Sequence, residues 1–303
     1  MNQNGKNNTE TAPEESLQEQ VEKKKAPPRP LFGTFGGVFT PTLLTILGVI
    51  MYLRGGWVVG NAGLLGAWLI ILLSFVITTF TGLSMSSVTT NIRIGAGGAF
   101  SIISQSLGLE VGGSIGIPLY LSQALAVAMY IFGFRAGWQY IFPHHPALLV
   151  DLGAFLVLFI IAFISANLAF RVQYLIMAVI FGSLISVAVA GFSGSMQHPV
   201  AWWGSFPGSL EQNFSGATFW MVFAVFFPAS TGIMAGANMS GELKNPRRSI
   251  PVGTLSAIGV SLVIYLALAY WLARSATTEA LLQNYNIMID KAAWAPVVLA
   301  GLL

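Results

Sequence analysis

Phe226-Phe227-Pro228-Ala229-Ser230-Thr231-Gly232-Ile233-Met234-Ala235-Gly236-Ala237-Asn238 is the stretch whose reading decides the fold. It lies mostly within an apolar run, Phe219–Ala237, long enough as a helix to cross about 30 Å of hydrocarbon. Pro228 has no N–H to give the carbonyl four residues earlier, and Gly232 and Gly236 weaken the helix beyond it. Two readings result: a proline kink repaired by Ser230 or Thr231, or an unwound segment carrying a small cluster of hydroxyls. Unpaired backbone at bilayer depth survives only beside protein, water or ligand, so the second reading makes the stretch a binding site.

The first apolar run, Pro41-Thr42-Leu43-Leu44-Thr45-Ile46-Leu47-Gly48-Val49-Ile50-Met51-Tyr52, has a similar irregularity, with Gly55, Gly56 and Gly60 beyond it. Gly48 near its middle serves either close helix packing or a break in the helix. The two runs stand five helices apart, and each places a glycine before Val-Ile-Met or Ile-Met. That spacing matches a transporter built from two inverted five-helix repeats, whose discontinuous first helices form the site together.

The rest of the chain fits a membrane protein. Of 303 residues 55% are hydrophobic and 8% charged, with a net charge of +3; mean hydropathy is +0.73 and the isoelectric point about 9.2. Soluble domains carry about 25% charged residues, so a water-facing globule of this size lacks the charge to cover itself. The apolar runs are Leu43–Val59, Gly66–Val88, Ile115–Phe134, Ala147–Leu168, Val172–Phe192, Phe219–Ala237 and Val252–Leu272, each near the span of a transmembrane helix. They are too continuous for barrel strands, which alternate. The prediction is an all-α polytopic bundle of about seven helices. An eighth run, Ala292–Leu303, is short for a crossing, and we expect it to be the start of a helix in a longer protein.

Residues 1–30 are rich in Asn, Gln, Glu, Lys and Pro and read as a disordered tail, with the membrane domain over 31–303. The tail has no apolar core like that of a signal peptide. Lys6, Lys23, Lys24, Lys25, Arg29, Arg93, Arg171, Lys244, Arg247 and Arg248, ten of the 14 Lys and Arg, fall on the tail's side of the predicted crossings. The positive-inside rule then puts the N-terminus in the cytoplasm, and the His144-His145 and Trp202-Trp203 loops outside. Lys244-Asn245-Pro246-Arg247-Arg248 reads as an inner topology loop or hinge.

Several functions are excluded. The chain has no cysteine, hence no thiol chemistry and no cysteine-based zinc site. Its basic residues are scattered rather than gathered on one face, so nucleic acid is not a partner. The central parts of the apolar runs contain no Asp, Glu or Lys, which argues against a membrane protease or a carboxylate-based proton pump. No enzyme activity and no cofactor are expected. A broken helix offers amides and a positive dipole end on one side of its gap and carbonyls on the other, so one break suits both an anion and a cation.

Three groups of residues carry a more specific likeness. They are Gly48-Val49-Ile50-Met51-Tyr52-Leu53-Arg54 with Gly56-Trp57-Val58-Val59-Gly60-Asn61-Ala62-Gly63; Gly97-Gly98-Ala99-Phe100 through Gly116, with Ala128-Met129-Tyr130; and Phe226 through Lys244, continuing to Gly253-Thr254. This pattern resembles the cation–chloride cotransporters of the amino acid–polyamine–organocation superfamily. The resemblance implies the leucine-transporter-type five-helix inverted repeat, here incomplete, and electroneutral symport of chloride with potassium, with sodium, or with both. A permease for amino acids or polyamines on the same fold is the alternative.

By the same resemblance a potassium site maps onto Thr45, Tyr130, Pro228 and Thr231. Chloride would be held by backbone amides at Gly48, Val49 and Ile50 and at Gly232, Ile233 and Met234. A sodium site would use carbonyls at Leu44 and Leu47, and Arg54 would serve a gate. Thr45 stands where the family usually has Asn, Leu47 stands where sodium-coupled members have an aromatic, and the acidic partner of Arg54 is replaced by Ala136. The expected partners are small inorganic ions and the lipid bilayer, with a homodimer as the expected assembly if the chain associates. The expected location is a cell or plasma membrane.

Overall fold

The computed structural model describes residues 32–91, 97–164, 166–209 and 214–303; the tail predicted over 1–30 lies outside them. The chain enters through a π-helical turn, Phe35–Phe39, that runs directly into α1 (Thr40–Ile46). After Leu47 and Gly48 it resumes as α2 (Val49–Asn91). Next come α3 (Gly98–Leu107), α4 (Leu109–Ile141), α5 (Ala147–Ile164) and α6 (Ala166–Ala190). A two-residue antiparallel pair, β1 (Gly208–Ser209) with β2 (Phe214–Ser215), precedes α7 (Phe219–Ser230) and α8 (Met234–Asn238). Four helices close the chain: α9 (Pro246–Ser275), α10 (Thr278–Gln283), α11 (Ile287–Lys291) and α12 (Ala295–Leu302).

Phe35–Asn91 forms a 57-residue apolar run, which would reach about 85 Å if straight and so holds two crossings. The corner lies at Gly63, whose φ of 69° and ψ of 178° leave the helical region. A side chain there would stand 2.7 Å from the backbone of Trp203 and Gly204, so only glycine fits both the angle and the space. The 201–208 loop pairs with the backbone groups freed by this corner: Leu64 N donates to Ala201 O, Leu65 N to Trp202 O, Gly204 N to Ala62 O and Phe206 N to Asn61 O. The buried Asn61 side chain joins in, donating to Trp57 O at 3.0 Å and accepting from Gly208 N at 2.8 Å. With α5, an 18-residue helix that is apolar apart from Asp151, the described helices account for the seven crossings expected.

The core lies where α2 packs on α7 and α9. Phe226 of α7 meets the Tyr265 ring of α9 edge-on at 5.3 Å, and Phe75 of α2 approaches the same ring at 5.8 Å. On α4 and α5, by contrast, large apolar side chains point outward, among them Leu125 at 71% exposure and Leu148 at 69%. In water such faces would be strongly unfavourable, whereas hydrocarbon solvates them. The protein is an integral membrane protein of all-α, polytopic architecture.

At the end of the bundle where the described chain begins, Phe32 pairs in parallel with Leu243: Phe32 N donates to Glu242 O at 2.8 Å and Lys244 N to Phe32 O at 2.9 Å. Thr34 and Ser249 hydroxyls lie 3.0 Å apart. A small apolar cluster of Val38, Met85, Ile102, Ala237, Leu243 and Ile250 seals this end. Lys244-Asn245-Pro246-Arg247-Arg248 thus forms the turn into α9 beside the entry segment.

Candidate functional site

Both candidate breaks are real discontinuities in the helices, and they differ in kind. The first crossing stops at Ile46, takes a non-helical turn at Leu47 (φ −84°, ψ 45°), and restarts at Val49. Val49 and Ile50 therefore open a new helix, where amides have no acceptor within the helix itself. The sixth crossing runs helically through Pro228 and breaks only after Ser230. Thr231 is extended (φ −84°, ψ −176°) and Gly232 has φ +93°. Of the two readings the unwound segment is the one present: helical geometry continues through Pro228 and ends only at Thr231 and Gly232, whose positive φ favours glycine.

The two breaks touch. Thr45 Oγ1 donates toward three carbonyls, Pro41 O at 3.1 Å, Thr42 O at 2.9 Å and Gly232 O at 3.1 Å. One hydroxyl proton serves three acceptors, so the cluster has more oxygen than donor. Tyr130 of α4 donates to the Thr45 carbonyl at 3.2 Å. A Cβ on Gly48 would meet the Tyr130 ring at 2.9 Å, and one on Gly232 would meet Thr45 Cβ at 2.9 Å. The glycines let the pieces approach this closely.

Thr45, Tyr130, Gly48 and Gly232 are thus gathered at one place. Val49, Leu44 and Leu47 join Thr45, Gly48 and Tyr130 on the wall of a cavity of about 1310 Å³. From the sixth crossing, Ala235 and Met239 line that cavity, while Pro228, Thr231, Gly232, Ile233 and Met234 do not. The Pro228 carbonyl turns instead to Thr231, accepting from its N–H at 3.2 Å and from its hydroxyl at 2.7 Å. Ile233 is buried, Met234 begins α8, and the Gly232 carbonyl also accepts from Ala235 N at 3.0 Å. Ile50 is buried one residue into α2. Arg54 lies apart from the cluster, its guanidinium 4.6 Å over the Tyr285 ring. Arg135, next to Ala136, pairs with Asp151 of α5 at 2.6 Å. His145 accepts from Trp138 Nε1 at 3.0 Å.

Sequence reasoning missed two side chains that fix the breaks. Tyr265, buried in α9, donates to the Ile46 carbonyl at 2.8 Å and so caps the end of α1. Thr78 of α2 donates to the Ser230 carbonyl at 3.2 Å and approaches its hydroxyl at 3.3 Å. Ser230 in turn donates to Phe227 O at 2.9 Å. The available signal was a phenol and a hydroxyl in the middle of apolar runs, since such groups find partners when buried.

First and sixth crossings that break at the same place, beside a partly polar cavity, define a membrane transporter of the broken-helix class. The family comparison agrees: a family model described as amino acid permease matches residues 37–286. The chain is 36% identical over 279 residues to solute carrier family 12 member 2 of Squalus acanthias, covering 87% of this chain and 23% of that protein. To solute carrier family 12 member 9 of Danio rerio it is 33% identical over 325 residues, covering 93% of this chain and 36% of that protein. To member 8 of Mus musculus it is 36% identical over 270 residues, covering 85% and 37% respectively. The chain belongs to the amino acid permease family, and the relatives it matches there are in solute carrier family 12, the cation–chloride cotransporter branch its motifs resemble. It spans between about a quarter and just over a third of the length of these relatives.

Proposed function

We propose that this chain forms the ion-binding part of a secondary active symporter that couples chloride to potassium, with sodium as an optional third ion, by alternating access and without net charge movement. The observation that carries this reading is the Thr45 junction, where the first break meets the sixth at 3.1 Å and Tyr130 reaches the same turn at 3.2 Å. Surplus carbonyl oxygen suits a dehydrated cation, and the amides that open a helix suit an anion. With both signs in one low-dielectric site, each charge offsets the desolvation of the other.

In this mechanism potassium is held by oxygens of Thr45, Tyr130, Pro228 and Thr231. The Tyr130 phenol turns from donor to Thr45 O into acceptor for the cation, and the Pro228 carbonyl gives up its bond from Thr231. Chloride takes the amides of Gly48, Val49 and Ile50, and a second chloride those of Gly232, Ile233 and Met234. Leu44 and Leu47 offer carbonyls to sodium. Arg54 belongs to the outer gate, and the charge distribution along the sequence puts the N-terminus in the cytoplasm.

The test is mutual dependence. Rubidium uptake that requires chloride, together with chloride uptake that requires rubidium, is expected; uptake of either ion that ignores the other removes the symport reading. The matched family description favours a second reading, a permease in which the helix-end amides hold an amino acid carboxylate. Uptake driven by an amino acid or polyamine, indifferent to chloride, would select it.

A further inference from the structure

Residues 277–291 bridge two elements that carry the proposed ion site. Thr277 caps α10 by accepting from Ala280 N at 3.3 Å, and the segment then lies along α2 just beyond the first break. Leu281 and Leu282 pack where a Cβ on Gly60 would stand 3.1 Å away, and Ile287 packs 2.7 Å from the position of a Cβ on Gly56. These three side chains are at most 5% exposed. Two polar contacts pin the segment at its rim. The Tyr285 ring receives the Arg54 guanidinium of α2 at 4.6 Å. Asp290 accepts from the Tyr140 phenol of α4 at 2.6 Å and from Asn284 Nδ2 at 2.7 Å. Tyr140 lies on the same helix as Tyr130.

The geometry points to Tyr285 and Asp290 as positioning residues that hold 277–291 shut over the proposed ion site, acting through Arg54 on α2 and Tyr140 on α4. Arg54 then gates by stacking on an aromatic ring rather than by a carboxylate partner. The Asp290 contact is a charge-assisted hydrogen bond. Together they make closure depend on the relative position of α2 and α4, the two elements that supply the helix-opening amides and the phenol. The assignment rests on the proposed ion site only for what lies beneath the segment.

The absence of cysteine gives a direct test. Ile287→Cys, on the segment's buried face against Gly56, reports opening through its labelling rate with a membrane-impermeant thiol reagent. In that background Tyr285→Leu should speed labelling about threefold and Asp290→Ala about tenfold, while Tyr285→Phe and Asp290→Asn, which keep a ring and an acceptor, stay within about twofold. Unchanged rates with Tyr285→Leu and Asp290→Ala overturn the assignment. So does faster labelling of Val38→Cys at the opposite end in the same variants, because the whole bundle has then loosened. Potassium chloride should slow Ile287→Cys labelling relative to choline gluconate. If the variants act but the salts do not, the closure stands and the ion reading beneath it fails.

Discussion

The two breaks at the candidate site are held open by different means. In the sixth crossing most of the freed groups are met locally: Ser230 and Thr231 return their hydroxyls to carbonyls three residues earlier, Gly232 supplies the positive φ, and the distant contacts are those of Thr78 to Ser230 O and of Thr45 to Gly232 O. In the first crossing the freed carbonyls are met from far away, Thr45 O by Tyr130 and Ile46 O by Tyr265, 85 and 219 positions distant in sequence. A locally satisfied break keeps its shape wherever its helix goes. A break satisfied by neighbours changes shape whenever those neighbours move.

That contrast can be broken from either side. Gly232→Val should have the largest effect, because a branched side chain at φ +93° is strained and meets Thr45 Cβ at about 2.9 Å. We expect a loss of more than about 3 kcal/mol in folding stability and abolished chloride-dependent uptake; a chain of normal thermal stability in detergent would show that the sixth break does not need this conformation. Tyr265→Phe comes next, leaving the Ile46 carbonyl unpaired in the core at a penalty of about 1–3 kcal/mol. An unchanged unfolding midpoint would mean that the first break is not held by its neighbours.

Tyr130→Phe should lower stability by less than about 1 kcal/mol, since its bond is longer and only partly buried, yet reduce rubidium uptake strongly. Retained uptake would remove Tyr130 from the cation site while leaving its structural contact intact. Ser230→Ala should change least, about 0.5 kcal/mol, because its hydroxyl bonds mainly within its own turn. A loss comparable to that of Tyr265→Phe would make the Thr78 contact, and not the local turn, the support of the sixth break.

The same contrast separates the legible part of the sequence from the rest. Pro228, Ser230, Thr231 and Gly232 lie side by side, and each acts through its own backbone, so the sixth break was legible from neighbouring letters. Only its exact place was not: helical geometry persists through Pro228, which loses one hydrogen bond and keeps its helical φ. Gly48 was ambiguous because packing and breaking ask the same thing of a glycine, and the deciding contacts come from Tyr130 and Tyr265. Arg54 shows the limit most clearly. The resemblance implies an acidic partner at a position that Ala136 occupies here, and the ring that receives Arg54 lies on a segment whose packing against α2 no local pattern encodes. The membrane class, the seven crossings and the family string needed no such long-range information.

The parallel pairing of Phe32 with Leu243 has a mechanical consequence. It ties the start of the first crossing to the chain just after α8, and Thr34 reaches Ser249 beside it. Val38 meanwhile sits in a notch formed at Gly236 and Gly253. The pieces of the two broken helices at this end of the bundle are therefore clamped at their ends and again a turn further in. They behave as one lever with two arms, and a tilt that frees one arm carries the other with it.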